Sequence, residues 1–323
     1  MTHVSAAVVQ AGSVGFDTAA TVAKAERLIA ECGRRGAALA VFPEAFIGGY
    51  PKGADFHIFV GGRTPEGRSE FAAYWAGAIA VPGPETVALG RAARQAKLYV
   101  TIGVIERDGG TLYCSALFFG PDGDLLGKHR KIMPTAAERL CWGFGDASTL
   151  TTVATPWGRL GAVICWENYM PLLRTAMYGK GIAFYCAPTA DDRDSWASTM
   201  RHIALEGRCF VLSSCQYLTR ADFPSGMRNR ISDEQDHVLM RGGSLIVSPL
   251  GRMLAGPDFN GETILTADLD TDEIAQGKFD FDVVGHYARP DLFRLVVNDQ
   301  AMPAVDYATG SGNPARAEAS RQS

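Results

Sequence analysis

Apolar and polar positions alternate between two periods along this chain. Short, nearly continuous apolar runs read as buried strands: Ser5–Gln10, Ala38–Phe42, Tyr99–Ile105, Leu112–Phe119 and Leu125–Lys131. After a mixed polar stretch from Met133 to Thr149, further strands are expected at Leu150–Val153, Gly158–Cys165, Ile182–Ala187, Cys209–Cys215, Ser244–Ser248 and Thr263–Leu269. Between them lie segments with a helical period. Asp17–Cys32 carries Ala20, Val22, Ala23, Leu28 and Ile29 on one face, and Gly33 is placed to stop it. Glu66–Ile79, Pro84–Lys97, Pro171–Lys180 and Ser195–Gly207 complete the helices, with Pro84 and Pro171 suited to a first turn. Asp108-Gly109-Gly110, Pro121-Asp122-Gly123 and Pro249-Leu250-Gly251 are turn signals. Strands alternating with helices, with hairpins mixed in, predict an α/β domain on mixed sheets.

Three segments break the pattern. Ile47–Gly53 is too rich in Gly and Pro for a simple turn and is a candidate site loop. Thr219–Arg241 is charged and aperiodic and reads as a surface loop. The chain beyond about Gly310 is rich in Ser, Ala, Arg and Gly and reads as a flexible tail.

Composition narrows the picture. A chain of 323 residues can bury a large core, and a net charge of −4 gives no electrostatic reason to expect nucleic acid or an anionic membrane as partner. No apolar run approaches the roughly 18 residues needed to span a bilayer, and no secretory leader is evident. The seven cysteines include no Cys-x-x-Cys, so reduced thiols and a cytoplasmic location are expected. Cys32, Cys114, Cys141, Cys186, Cys209 and Cys215 are expected to pack in or near the core. No zinc, nucleotide or dinucleotide motif occurs.

Three of the strands end on a chemically capable residue: Phe42-Pro43-Glu44, His129-Arg130-Lys131 and Ile164-Cys165. Singly, each is ordinary, because a carboxylate or lysine after a strand is usually solvated and a free cysteine is usually buried. Together they supply a base, a cation and a thiol. Acyl transfer from a carbon–nitrogen bond needs these three: the base takes the thiol proton, and the cation stabilises the tetrahedral intermediate. The cation is also expected to favour the Cys165 thiolate and to stay charged beside its carboxylates.

These residues carry a resemblance. Gly161-Ala162-Val163-Ile164-Cys165-Trp166-Glu167-Asn168, followed by Pro171-Leu172-Leu173-Arg174, resembles the nucleophile signature of the nitrilase family. Phe42-Pro43-Glu44 resembles its base motif. His129–Thr135, with Glu138-Arg139, Trp142-Gly143 and Gly145-Asp146, is similar to its lysine motif, with Ala147 where glycine is common. Gly48–Gly53, Ala187–Asp191 and Met170–Met177 look closest to plant-type nitrilases and their bacterial relatives.

The resemblance implies a four-layer α-β-β-α sandwich with two mixed sheets. Residues 1–300 would form one carbon-nitrogen hydrolase domain and 301–323 a flexible tail. It implies Cys165 as nucleophile, Glu44 as general base, Lys131 as stabiliser and Glu138 as a second carboxylate acting on Lys131. The expected reaction is hydrolysis of an aliphatic or arylaliphatic nitrile to acid and ammonia through a thioimidate and a thioester. No cofactor or metal is expected, and self-association into dimers or larger spirals is. The alternatives are an amidase or carbamoylase of the same superfamily, a hydratase that stops at the amide, and a non-catalytic subunit. Tyr50, Trp142, Trp166, Thr189 and Trp196 are candidate substrate-binding residues, with packing as the competing role. Glu167 and His129 are expected to give structural support, Cys141 to pack, and His202 to be a core histidine.

Overall fold

A computed structural model describes residues 2–305. The strands and helices are β1 (His3–Gln10), α1 (Thr18–Arg34), β2 (Leu39–Val41), α2 (Pro65–Ala76), α3 (Pro84–Ala96), β3 (Tyr99–Asp108), β4 (Thr111–Phe119) and β5 (Leu125–Arg130) in the first half. The second half holds β6 (Thr152–Thr155), β7 (Gly158–Ala162), α4 (Pro171–Gly179), β8 (Ile182–Thr189), α5 (Asp194–Gly207), β9 (Phe210–Cys215), β10 (Tyr217–Thr219), β11 (Val238–Arg241), β12 (Ser244–Val247), β13 (Met253–Asp258), β14 (Thr263–Asp270) and α6 (Asp272–Asp280).

Two six-stranded mixed sheets result, in the orders β14-β1-β2-β3-β4-β5 and β13-β12-β9-β8-β7-β6. In each, the three central strands run parallel and the outer ones antiparallel. The period-2 pattern assigns the faces. Val4, Ala6 and Val8 of β1 point inward against Leu160, Phe184, Phe210 and Leu212 of the other sheet. Ala7 and Val9 point outward, where Val22, Ala25 and Ile29 of α1 and Leu89 and Ala93 of α3 cover them. On the second sheet, Val163, Tyr185 and Val211 pack under Leu173 and Met177 of α4 and Met200 and Ile203 of α5. The layers are therefore α-β-β-α, as expected.

Where the structure departs from the sequence pattern, a tertiary contact explains it. Residues 219–241 are mostly exposed, as expected of a surface loop, but they are tied down. β10 pairs with β11, and Arg220, Phe223, Met227 and Asn229 are buried. Asn229 donates to the carbonyl of Lys52 at 2.8 Å and Arg230 N–H to that of Gly53 at 2.8 Å, so the segment braces the Gly/Pro-rich loop. β13 and α6 lie outside the expected elements. His202 is not a core histidine: its side chain is 64% exposed and faces Glu206 one turn on. Of the tail expected over 301–323, residues 301–305 are exposed, and 306–323, including the stretch from Gly310, lie outside the described residues.

Candidate active site

Glu44 sits in the turn that follows β2. That turn presses against β3 at Gly103, where an added Cβ would lie 2.2 Å from the carbonyl of Pro43 and 2.7 Å from Glu44 Cα. Only glycine fits there. Gln216, just beyond β9, donates to the carbonyl of Glu44 at 2.9 Å and accepts from Ser13 N–H at 2.9 Å, fixing the turn from the opposite sheet. Lys131 is the first residue after β5, and its N–H donates to the carbonyl of Cys114 on β4 at 2.8 Å.

Cys165 does not end a strand. β7 stops at Ala162, and Cys165 opens a short 3-10 turn, Cys165–Tyr169, with φ at +52°. This left-handed conformation is costly for a residue with a Cβ and marks a site the surroundings hold in place. The holding groups are nearby in sequence. Asn168 Nδ2 donates to the carbonyls of Val163 and Cys165 at 2.9 and 2.8 Å. Glu167 accepts from Ile164 N–H at 2.8 Å and Ile132 N–H at 2.6 Å, and lies 3.0 Å from His129 Nε2. One buried carboxylate thus clamps the residue before the thiol to the residue after the lysine. The structural role expected for Glu167 and His129 takes this form.

The titratable groups converge in a buried cluster. Lys131 Nζ donates to Glu44 Oε1 and Glu138 Oε2, both at 2.7 Å, and all three side chains are buried. Glu138 also accepts from Thr135 N–H at 2.6 Å and from the Tyr50 hydroxyl at 2.7 Å. Burial works against the Lys131 charge, but the carboxylates of Glu44 and Glu138 outweigh it and hold the ammonium well above the usual lysine range. Burial pushes Glu44 up to about 6, against the pull of Lys131 and of the nearby Cys165 thiol. Burial, then the charge of Glu44, pushes the Cys165 thiol up, and Lys131 only partly opposes them. Lys131 thus favours the thiolate, as expected, but burial and the Glu44 charge outweigh it, and that carboxylate is within reach of the sulfur's proton. Thr189, at the end of β8, donates to Cys165 Sγ at 3.3 Å.

The cavity over the sulfur holds about 190 Å³ and is lined by Tyr50, Lys52, Glu138, Cys165, Trp166 and Asp191, among others. A neighbouring chamber of about 400 Å³ shares Tyr50, Lys52, Thr135 and Glu138 with it, and adds Phe56, Ile58 and Cys141. Trp166 is half-exposed at the mouth. Its indole donates to Asp191 at 2.8 Å, and Arg193, paired with Asp191, lies over its ring. Trp142 lies behind the cluster instead, its ring 5.4 Å from Lys131 Nζ and its indole N–H donating to the Tyr74 hydroxyl. Trp196 is buried against Ser213 at 2.8 Å, in the layer between α5 and the sheet. Neither lines the cavity over the sulfur, so packing accounts for both. Sequence reasoning missed Gln216, Cys114 and the Asp191–Arg193 pair as site residues. The last follows directly on the Ala187–Asp191 motif and was the most accessible of them. Among the described residues, no group of three or more His, Cys, Asp or Glu side chains is arranged to hold a metal.

The carbon-nitrogen hydrolase family profile matches residues 5–279. The chain belongs to that family. Within it, the sequence falls in the nitrilase branch. It is 74% identical over 305 residues to an aliphatic nitrilase of Sinorhizobium fredii, covering 94% of this chain and 99% of the relative. It is 56% identical over 312 residues to the bifunctional nitrilase/nitrile hydratase NIT4B of Nicotiana tabacum, covering 95% and 90%. Among solved structures, a carbon-nitrogen hydrolase from Helicobacter pylori superposes with a TM-score of 0.68 at 19% identity, over 91% of this chain and 99% of that one. That likeness speaks for the fold alone.

Proposed function

We propose that the site hydrolyses aliphatic or arylaliphatic nitriles to carboxylic acids and ammonia. The observation that carries this reading is the buried Glu44–Lys131–Glu138 chain beside the Cys165 thiol, in a chain 74% identical to an aliphatic nitrilase. Cys165 Sγ adds to the nitrile carbon as its proton leaves to Glu44 and is passed to the nitrile nitrogen, giving a thioimidate. Water, deprotonated by Glu44, adds to the thioimidate carbon. The resulting tetrahedral centre lies against the Lys131 ammonium, the fixed charge nearest the developing anion. Breaking its C–N bond releases ammonia and leaves a thioester, and a second water releases the acid. The sum is one nitrile and two waters to one acid and one ammonia.

A second reading is supported by the bifunctional nitrilase/nitrile hydratases among the relatives. If the C–S bond of the tetrahedral centre breaks first, the product is the amide. The test of both is a panel of aliphatic, arylacetonitrile, benzonitrile and β-cyanoalanine substrates, with acid, amide and ammonia quantified. Acid and ammonia in equal amounts are expected from aliphatic and arylaliphatic members. Amide as sole product would replace the first reading by the second, and turnover of amides but not nitriles would overturn both.

The same proposal includes self-association. Beyond α6, residues 281–305 form no helix or strand, and there Phe293 is 81% and Val296 76% exposed. Contiguous exposed apolar side chains of this size favour a partner surface, and a second copy is the partner the family resemblance implies.

A further inference from the structure

Cys114 stands on β4, opposite Ile105 of β3 in the register, and is buried. Its thiol lies 3.5 Å from Glu44 Oε1, and its carbonyl accepts the Lys131 N–H at 2.8 Å. It lines neither of the two chambers at the site. Glu44 is thereby made asymmetric. Oε1 receives both Lys131 Nζ and the Cys114 thiol, whereas Oε2 is buried and has no hydrogen-bond partner among the described residues. An unpaired buried carboxylate oxygen is costly, and the Cys165 thiol acts on this same carboxylate.

We propose that Cys114 is a positioning residue for the base: it holds Glu44 Oε1 against Lys131, which leaves Oε2 as the oxygen that exchanges protons with Cys165 and water. A thiol suits this role. It is a weak donor, so it fixes the rotation of the carboxylate without taking much of its basicity. With burial and the charge of Glu44 both raising it, the Cys114 thiol keeps its own proton and is no rival nucleophile. The groups that face Glu44 are Lys131 after β5, Glu138 from its 3-10 turn, Cys165 from the elbow, Tyr50 from its loop, Cys215 at the end of β9 and Cys114 from β4. Lys131 and Cys114 both donate side-chain hydrogen bonds to Oε1, and a hydrogen bond from the Cys165 thiol also pulls the Glu44 carboxyl down.

The inference rests on Glu44 being the base, and the experiment separates the two claims. Glu44→Gln, Cys114→Ala, Cys114→Val and Cys114→Ser are compared by the pH profile of kcat/KM on a nitrile the wild type turns over. Glu44→Gln must be inactive for the base assignment to stand. Loss of the thiol donor in Cys114→Ala is expected to move the acid limb up by about half a pH unit, because the charged carboxylate loses a stabilising contact. KM should stay within about twofold, since Cys114 touches no substrate-lining surface. Cys114→Val, closer in volume, guards against a packing defect and should move the limb the same way; Cys114→Ser retains a donor and should restore it. A purely structural defect would lower the amplitude at every pH and leave the limb in place. A limb unmoved in both Ala and Val variants, or moved as far in Ser, overturns the proposal even with Glu44→Gln inactive.

Discussion

At Cys165 a single backbone angle and a single proton set the chemistry. The positive φ turns Cys165 out of the β7 line to line the cavity, and burial raises its thiol, favouring the protonated form. Cys165→Ala should therefore abolish ammonia release while leaving circular dichroism and melting temperature near wild type; ammonia formed at an undiminished rate would exclude Cys165 as nucleophile. Glu44 must be ionised to accept the proton, and its acid form is favoured below about 6. Activity should thus fall as pH drops through that value, measured as the acid limb of kcat/KM; a limb near the ordinary carboxylate value of 4.5 would show that burial does not govern this group. Both residues were legible in the sequence, because each closes a contiguous apolar run. The protonation state of Cys165 was not, since it depends on how deeply the second sheet buries the thiol. His202 illustrates the reverse error: its neighbours on the helix are apolar, but its own position faces solvent. His202→Ala should change stability by less than about 0.5 kcal/mol in thermal or urea unfolding.

Elements meet at the site through side chains that replace ladder hydrogen bonds. β7 stops short of Cys165 because Glu167 takes the Ile164 N–H and Asn168 the Val163 carbonyl. The pattern predicted the strand through to Cys165, for apolar periodicity cannot register a side chain that terminates pairing. Glu167→Ala would strand two buried backbone N–H groups and the His129 ring nitrogen. At about 1–3 kcal/mol for each buried unsatisfied group, a loss of several kcal/mol in unfolding free energy is expected, with a fall in kcat as Lys131 and Cys165 lose their shared clamp. Unchanged stability would mean that the clamp does not hold the elbow. Residues 219–241 teach the same lesson. Their charge marked a surface loop, but Asn229 and Arg230 also reach back to Lys52 and Gly53 across a separation no local pattern encodes.

For the whole molecule, the face-to-face sheets bring the ends of β2, β5 and the β7 elbow to one locus. That convergence turns three ordinary strand ends into one buried ionic cluster. The described residues contain no helix long and apolar enough to cross a membrane. The exposed apolar residues of 281–305 instead lead to a prediction about assembly: deleting the chain from residue 281 onward should shift the protein toward monomer in analytical ultracentrifugation, and an unaltered distribution would place the interface elsewhere. By itself the sequence determined the order of most strands and helices and the layered α/β architecture, and it singled out Glu44, Lys131, Glu138 and Cys165 as candidates. Periodicity and motif chemistry reside in neighbouring residues, and neighbours are what a sequence displays. Tertiary structure alone decided that burial raises the Cys165 thiol, that Glu167 joins the Ile164 and Ile132 backbones and that Gln216 and Cys114 contact the Glu44 turn and carboxylate. Each of these follows from burial or from contacts between distant segments, which exist only once the two sheets have closed on one another.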